Sequence, residues 1–431
     1  MRIVIAGAGE VGYNLAKVLC NHHDIYVIDA DENKVEEIMT SLNVSAVKGN
    51  SASLNVLKTV EVDKADVFLA VTGNDEVNML SGIMAKKLGA KKVIVRVSNP
   101  DYVDKPISRD HFLGFDLVVC PQLILANEIV NYLLIPGAVE FVTLSGANVI
   151  EIKADVNLSG KKILDLELPK NVLIVAILRD DDVIIPRGDT VIEEGDILVV
   201  LGKVMEIAKI QTFGQALVKK VTIFGGGTVG EYIAKILEAG KFSLTLIDSN
   251  VNRCKILSEK LEKAKIFCGD AMDVEFLSEI EVDKSDVVVA TTESDEKNLM
   301  ISLLCKSMGV KKAVAKVEKG DYVKIFEMVG VDYAVSPRRV TFLEVMKHLG
   351  LVDIREIAEI KHKIAILDFI VRNIDDVSLS ELKLPKCAIV GGLIRDNKFM
   401  IPRGDTKIKR GDRVIVFATW DCIEDLKDVF E

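Results

Sequence analysis

The sequence is a tandem repeat, and this feature constrains the fold more than any other. The run Gly7-Ala8-Gly9-Glu10-Val11-Gly12 recurs as Gly225-Gly226-Gly227-Thr228-Val229-Gly230, and residues 185–190 recur unchanged as residues 401–406. Such matches keep the same order in both halves. We therefore interpret the 431 residues as two copies of one unit of roughly 215 residues, which exceeds the commonest domain size.

Each copy divides into a larger and a smaller part. In the larger part, apolar strands alternate with helical patterns, including a predicted helix near residues 101–111 in the first copy, and this alternation is typical of a parallel sheet. After Pro136-Gly137, and again near Gly350, the strands become short and rich in turns. The sequence predicts an α/β fold with two Rossmann-like, doubly wound parallel-sheet domains, each followed by a small α+β domain. The predicted boundaries are 1–136, 137–217, 218–351 and 352–431.

Composition excludes several classes of protein. The net charge of −10 argues against a nucleic-acid binder, which needs a basic face. The mean hydropathy of +0.28 is high, but the apolar runs are far shorter than the about 20 residues of a spanning helix. The near-candidate 123–142 is interrupted by Asn127, Glu128, Asn131, Pro136 and Glu140. We expect no membrane span, and we interpret the scattered cysteines as those of a reduced, cytosolic protein without a metal site.

The glycine runs match a dinucleotide-binding pattern. In each copy the run follows an apolar strand and precedes a helical pattern, so that glycines permit close approach of a phosphate to a helix N-terminus. Asp29 and Asp248 follow at the spacing expected for an acid that binds ribose hydroxyls. A carboxylate would repel a 2′-phosphate, so the pattern favours NAD(H) or another adenine nucleotide over NADP. A glycine turn beside a surface acid without any ligand is the alternative.

Other candidates lie where strands end, at the edge where open α/β sheets bind ligands. They are Asn50, Thr72 and Gly73 in the first copy and Asp270, Thr292 and Glu293 in the second. Ordinary strand-to-helix turns, with Asn74 or Ser294 as helix N-caps, would explain them equally well. Arg96 and its counterpart Lys316 interrupt or end apolar strands and would balance phosphate charge, unless they are edge residues that reach solvent.

Two recurring motifs favour a structural interpretation. The proline, glycine and aspartate of residues 185–190 and 401–406 are typical of a turn between strands. Asp75-Glu76 and Asp295-Glu296 lie in the first turn of a predicted helix, where acids complement the helix dipole. Neither motif requires catalysis.

With these motifs in order, the chain resembles the TrkA family of cytosolic subunits of Trk-type potassium uptake systems over essentially its whole length. The resemblance rests on Gly7 to Gly12 with Val27-Ile28-Asp29, on the run from Ala70 to Glu76, and on Ile185 to Thr190. It implies tandem RCK/KTN nucleotide-binding domains, each followed by a TrkA-C domain. It also implies peripheral docking on a TrkH-type membrane subunit, control of potassium transport by nucleotide occupancy, and a homo-oligomer in which the lobes form a ring.

The family's nucleotide contacts would map onto Gly7 to Val11, Asp29, Thr72-Gly73 and Arg96 in the first copy. In the second copy they would map onto Gly225 to Val229, Asp248, Thr292-Glu293 and Lys316. Glu293 replaces a glycine, Lys316 replaces an arginine, and Asn250 stands at the position of Asp31, so the ligand or its affinity could differ between the copies.

The predicted function is therefore regulatory and not enzymatic. The first rival is an NAD-dependent oxidoreductase, which would need an acid, base or metal near the nicotinamide. Residues 138–215 contain no histidine or cysteine to supply one. The second rival is a nucleotide sensor for an unrelated partner. The motif contacts the adenosine diphosphate portion that these nucleotides share, so it does not distinguish among NAD+, NADH, ADP and ATP.

Overall fold

The computed structural model describes residues 1–103, 105–109, 111–135, 138–144, 147–154, 156–180, 182–207, 218–349, 359–360, 364–374, 376–396, 398–419 and 422–430. The chain divides into two compact units that do not follow sequence order: Met1–Val130 with Lys219–Leu349, and Asn131–Val218 with Gly350–Glu431. Each unit thus combines the corresponding parts of both copies. The breaks that we predict at Pro136-Gly137 and Gly350 lie outside the described residues.

The first copy contributes a parallel sheet with crossover helices to the first unit. Its strands are β1 (Arg2–Ala6), β2 (Asp24–Asp29), β3 (Ser45–Lys48), β4 (Val67–Ala70), β5 (Lys92–Arg96), β6 (Ile107–Arg109) and β7 (Leu117–Val119). Its helices are α1 (Glu10–Leu19), α2 (Glu32–Ser41), α3 (Leu54–Thr59), α4 (Asp75–Leu88) and α5 (Pro121–Leu134). The strand order is β3-β2-β1-β4-β5-β7-β6, and only β6 pairs antiparallel to its neighbour. The order reverses between β1 and β4, where such sheets bind ligands.

The second copy repeats this arrangement. Its strands are β13 (Lys220–Phe224), β14 (Ser243–Asp248), β15 (Lys265–Cys268), β16 (Val287–Ala290), β17 (Lys312–Lys316) and β18 (Tyr333–Val335). Its helices are α7 (Thr228–Glu238), α8 (Val251–Lys260), α9 (Val274–Glu279), α10 (Asp295–Ser307), α11 (Tyr322–Val329) and α12 (Pro337–Leu349). The order is β15-β14-β13-β16-β17-β18, and all pairs are parallel. All four residues of β16 are completely buried, so strands of this kind explain the high mean hydropathy.

The prediction of a helix near residues 101–111 is wrong. The structure has a short 3₁₀ turn at Pro100–Tyr102 and then the edge strand β6. The cause is Pro106, which lacks an N–H group and disfavours helical backbone in the residue before it. The second copy has Phe326 at the same position, and there the segment forms the helix α11, with Phe326 buried on its inner face.

The second unit is built from antiparallel sheets, in agreement with the predicted short strands. The first copy supplies β8 (Ala138–Leu144), β9 (Ala147–Lys153), β10 (Val172–Arg179), β11 (Asp182–Ile184), β12 (Ile197–Gly202) and the helix α6 (Val204–Ile207). The second supplies β19 (Glu359–Ile360), β20 (Ile364–Ile370), β21 (Val377–Ser378), β22 (Ala388–Arg395), β23 (Lys398–Met400), β24 (Lys407–Ile408), β25 (Arg413–Thr419) and the helix α13 (Ile423–Phe430). The main sheets have the orders β11-β10-β12-β9-β8 and β19-β20-β25-β22-β23.

Both copies contribute to one apolar core in this second unit. Leu201 of the first copy and Phe417 of the second belong to the same buried cluster. A Cβ atom on Gly391 would lie 2.5 Å from the Phe417 ring and 2.9 Å from Leu201, so only glycine permits this close approach. The recurring motif forms the predicted turn in both copies, with the N–H of Arg187 donating to Thr190 Oγ1 and that of Arg403 to Thr406 Oγ1, each at 2.8 Å.

The expectation that the scattered cysteines are reduced is wrong for one pair. Cys387 and Cys422 form a disulfide between the start of β22 and the start of α13, with Cα atoms 6.2 Å apart. Their sequence separation of 35 residues carries no recognisable spacing, because the fold alone brings them together. Within the described ranges, none of the helices has the length and apolar character needed to cross a bilayer.

Candidate functional site

The glycine turn of the first copy joins β1 to α1, and close backbone packing requires glycine at two positions. Gly7 has a φ of +109°, and a Cβ atom on it would lie 3.0 Å from the backbone N and Cα of Thr72. A Cβ atom on Gly12 would lie 1.8 Å from the carbonyl oxygen of Gly7. Gly9, which precedes α1, has open space around its Cβ position. The turn therefore leaves the first N–H groups of α1 accessible to an anion.

The second copy builds the same turn. Gly225 has a φ of +94°, and a Cβ atom on it would lie 2.9 Å from backbone atoms of Thr291 and Thr292. A Cβ atom on Gly230 would lie 2.0 Å from the carbonyl oxygen of Gly225, whereas Gly227 again faces open space. Both copies thus place an uncapped helix N-terminus at the carboxyl edge of a parallel sheet, as the glycine pattern predicts.

The acid at the end of the second strand holds the glycine turn in place. Asp29 Oδ2 accepts from the backbone N–H of Ala8 at 2.6 Å, and its Oδ1 accepts from that of Asp31 at 2.9 Å. In the second copy, Asp248 accepts from Gly226 at 2.7 Å and from Asn250 at 2.8 Å. Each carboxylate oxygen has a further lone pair for a ribose hydroxyl. The sequence predicted the ribose contact but not this support of the turn.

A buried asparagine in each copy was missed by sequence reasoning. Asn78 is completely buried in α4; its Oδ1 accepts from Thr72 N–H at 2.9 Å, and its Nδ2 donates at 3.0 Å to the carbonyls of Thr72 and Arg96. Asn298 makes the same bonds to Thr292 and Lys316, at 2.9–3.1 Å. One side chain therefore ties the ends of two neighbouring strands together. The sequence did contain a signal for this residue: asparagine is a poor helix former, yet it recurs at the same helix-interior position in both copies.

The acids at the start of α4 and α10 do more than complement the helix dipole. Asp75 accepts the backbone N–H groups of Ser98 and Asn99, at 2.9 and 2.7 Å, and Asp295 accepts those of Glu318 and Lys319, at 2.7 and 3.1 Å. The predicted N-caps are confirmed, since Asn74 accepts from Val77 N–H at 2.8 Å and Ser294 from Lys297 N–H at 3.2 Å. These contacts orient the loop after β5 or β17.

In the second copy these elements surround a cleft of about 490 Å³. Six predicted residues line it, namely Gly225, Gly227, Asp248, Asp270, Thr292 and Glu293, whereas Gly226, Thr228, Val229, Gly230 and Lys316 do not. Arg253 and Lys297, which the sequence did not single out, also line it. The predicted Asp270 and its counterpart Asn50 each accept a backbone N–H two residues later, at 3.0 and 2.9 Å, so they also shape their own turns.

The two cations at the ends of β5 and β17 differ in their surroundings. Lys316 is buried, and its Nζ pairs with Glu318 at 2.8 Å. Arg96 has Ser98 at the position of Glu318; its Nη1 lies 3.5 Å from the Thr72 carbonyl oxygen, and its buried Nε has no hydrogen-bond partner in the described part of the chain. Burial lowers the pKa of the Arg96 guanidinium. The first copy therefore offers a less neutralised cation to an anionic ligand.

A cationic cluster surrounds Glu231 in the second copy. Glu231 follows the glycine turn and pairs with Lys235 and Arg253 at 2.6 Å and with Lys260 at 3.1 Å. Burial by itself would raise the pKa of this carboxyl group, but the hydrogen bonds from the three cations lower it to about 2. Arg253 also donates to the Gly226 carbonyl, so the cluster is hydrogen-bonded to the glycine turn.

Because the pKa of Glu231 is depressed in the folded state, its contribution to stability is present above its ordinary pKa of 4.5 and is lost as the pH falls towards 2. We expect Glu231→Gln to be less stable than the wild type at about pH 6, and this difference to shrink by about 2 kcal/mol at about pH 3. Urea unfolding of both proteins at both pH values measures this difference in the free energy of unfolding. Glu259→Gln, at an exposed position on α8, serves as the control. A difference that stays constant with pH would contradict the assignment.

Comparison with known proteins decides the family. Residues 3–121 and 221–337 match the TrkA-N domain, and residues 149–213 and 372–431 match the TrkA-C domain. The Trk system potassium uptake protein TrkA homolog of Archaeoglobus fulgidus is 52% identical, with 100% of each chain covered. The chain belongs to the TrkA family.

Solved structures agree with the predicted fold of this TrkA-family chain. A structure titled GsuK channel bound to NAD has a TM-score of 0.60 at 19% identity, over 99% of this chain and 78% of that one. A structure of GsuK bound to ADP has a TM-score of 0.51 at 17% identity, over 81% of this chain and 68% of that one. These likenesses confirm the α/β class, and the alternation of TrkA-N and TrkA-C domains confirms the resemblance seen in the sequence.

Proposed function

We propose that this TrkA-family chain is a regulatory subunit of a Trk-type potassium transport system, and that it binds NAD(H) or another adenine nucleotide. The observation that carries the proposal is the glycine turn with its acid, built twice from the same contacts. In each copy it presents an uncapped helix N-terminus beside a carboxylate that is able to accept ribose hydroxyls. The names of the relatives support the transport role, and the NAD and ADP of the GsuK titles support the ligand class.

The proposed contacts are those predicted from the sequence. In the first copy they are Gly7, Ala8, Gly9, Glu10, Val11, Gly12, Asp29, Asn50, Thr72, Gly73 and Arg96. In the second they are Gly225, Gly226, Gly227, Thr228, Val229, Gly230, Asp248, Asp270, Thr292, Glu293 and Lys316. Phosphates would lie at the N-termini of α1 and α7, with the riboses at Asp29 and Asp248. The domain boundaries at 136, 217 and 351 belong to the same proposal.

The proposed partner is a membrane potassium-translocating subunit of the TrkH type, with the chain on the cytoplasmic face as a homo-oligomer. The ligand would act by binding more tightly to one arrangement of the lobes than to another, because only differential affinity shifts such an equilibrium. No catalytic step is assigned, in keeping with the regulatory role and with the absence of histidine and cysteine from residues 138–215.

The test is a titration of the purified protein with NAD+, NADH, ADP and ATP, followed by mass spectrometry of the retained ligand. Potassium flux is then measured in vesicles that hold the membrane subunit, with and without the protein. We expect at least one nucleotide to bind, to be recovered unchanged and to alter the flux. Failure of all four to bind would contradict the proposal, and conversion between NAD+ and NADH would instead favour the oxidoreductase.

A further inference from the structure

A charged pair joins the two copies beside the first glycine turn. Within the first unit, α1 of the first copy packs against α12 of the second. Glu10, the first residue of α1, pairs through its Oε2 with the guanidinium of Arg338, the second residue of α12. Its Oε1 accepts from the backbone N–H of Gly320 at 3.4 Å. Glu10 is thus held by the second copy and is not directed at its own turn.

This pair lies next to the place where phosphates would bind. Glu10 directly follows Gly9, whose neighbouring N–H groups are the proposed phosphate donors. Arg96 approaches the same place from the end of β5, because it contacts the Thr72 carbonyl and Thr72 lies against Gly7. Among the groups whose charges act on Arg96 are Asp75 of its own copy and Glu318 and Arg338 of the other. The first phosphate region is therefore bordered by a cation from each copy.

The second glycine turn has no equivalent pair. Thr228 stands at the position of Glu10, and Gln122 stands at the position of Arg338. Both side chains are uncharged, and the local cation Lys316 is already neutralised by Glu318. If the ion pair only stabilised the packing of two similar lobes, an equivalent pair would be expected in both copies. Its restriction to one copy points to a role specific to the first turn.

We propose that Arg338 is a binding residue of the first copy's site, supplied by the second copy, and that it contacts the outer phosphate of a nucleotide carrying two or more phosphates. This inference rests on the proposed function and deepens it. A guanidinium has five N–H donors and binds phosphate in a forked geometry. The ligand phosphate and Glu10 have charges of the same sign, so they compete for Arg338. Occupancy of the first site therefore changes the contact between the two copies.

The experiment measures the affinity for ADP and for AMP by calorimetry. Every protein tested carries Asp248→Ala, which weakens the second site, so that the measured binding is that of the first site. Because a charge-assisted hydrogen bond contributes about 1.5–3 kcal/mol, Arg338→Gln is expected to weaken ADP binding at least about ten-fold and AMP binding less than about two-fold. Arg339→Gln removes the same charge one residue later and is expected to change neither affinity. Glu10→Gln frees Arg338 and is expected to tighten ADP binding.

The outcomes separate this inference from the proposed function. If ADP and AMP both bind, and Arg338→Gln weakens them equally or not at all, Arg338 does not contact an outer phosphate and only this inference falls. If the protein with Arg338 intact binds neither ADP nor AMP at the first site, the inference falls, and titration with NAD+, NADH and ATP then decides whether the proposed function falls with it. Equal melting temperatures of the variants show that altered affinity does not come from unfolding.

Discussion

Alanine in place of Gly12 is expected to abolish nucleotide binding by the first copy and to lower the free energy of unfolding by about 3 kcal/mol. The added Cβ atom would lie 1.8 Å from the Gly7 carbonyl oxygen, far inside van der Waals contact. Both atoms belong to the turn itself, so α1 must move away from β1, and the N–H groups that would hold the phosphate move with it. Chemical denaturation and nucleotide titration of the same preparation measure the two effects.

The matched control is Gly9→Ala in the same turn. Gly9 has a negative φ, and no atom lies within 4 Å of its Cβ position. This variant is expected to keep its stability to within about 1 kcal/mol, although the methyl group would narrow the space for a ligand. Gly230→Ala should repeat the Gly12 result in the second copy, because its Cβ atom would lie 2.0 Å from the Gly225 carbonyl. Wild-type stability in Gly12→Ala would show that the turn is not packed as described.

Asp29→Ala is expected to weaken nucleotide binding by the first copy at least about 100-fold. Two charge-assisted hydrogen bonds to the ribose would be lost, each contributing about 1.5–3 kcal/mol. The variant would also remove the acceptor of the Ala8 N–H and so loosen the glycine turn. Nucleotide titration measures the affinity, and potassium flux through the membrane subunit shows whether nucleotide control is lost with it.

Asp24→Ala is the control, because Asp24 begins the same strand and is exposed at the opposite end. It is expected to leave nucleotide affinity unchanged. Asp29→Asn, which keeps one oxygen acceptor but loses the charge, should bind with intermediate affinity. Unchanged binding together with unchanged nucleotide control of flux in Asp29→Ala would remove Asp29 from the site.

Local signals predicted the parts of the fold that depend on neighbouring residues. The apolar strands, the glycine turns and the N-caps all arise from interactions within a few residues, so they are visible in the sequence. The exception at residues 101–111 is instructive. The helical pattern indicated a helix there, but Pro106 was the stronger signal, and the segment forms a short turn and the strand β6.

The site could be predicted only in outline. Asp29 was identified from its spacing, but its bond to the Ala8 N–H depends on the parallel pairing of β1 with β2. Asn78 was missed because its partners, Thr72 and Arg96, lie 6 and 18 residues away and meet only when β4 and β5 pair. Glu10 was predicted to contact the nucleotide, and that contact stays a prediction; the sequence did not reveal that its carboxylate pairs with Arg338, 328 residues away.

The sequence by itself determined that the chain has two copies of one α/β unit, each with a glycine turn and an acid suited to a nucleotide. These properties are local, since hydrophobic periodicity and turn residues specify strands, helices and loops over short distances. Only the tertiary structure decided which parts of the copies pair into a unit and that one copy supplies Arg338 beside the other's turn. Such contacts depend on the shape and charge of surfaces that exist only after each sheet has formed. Because the two copies are similar in sequence, the sequence does not indicate which of their parts pack together.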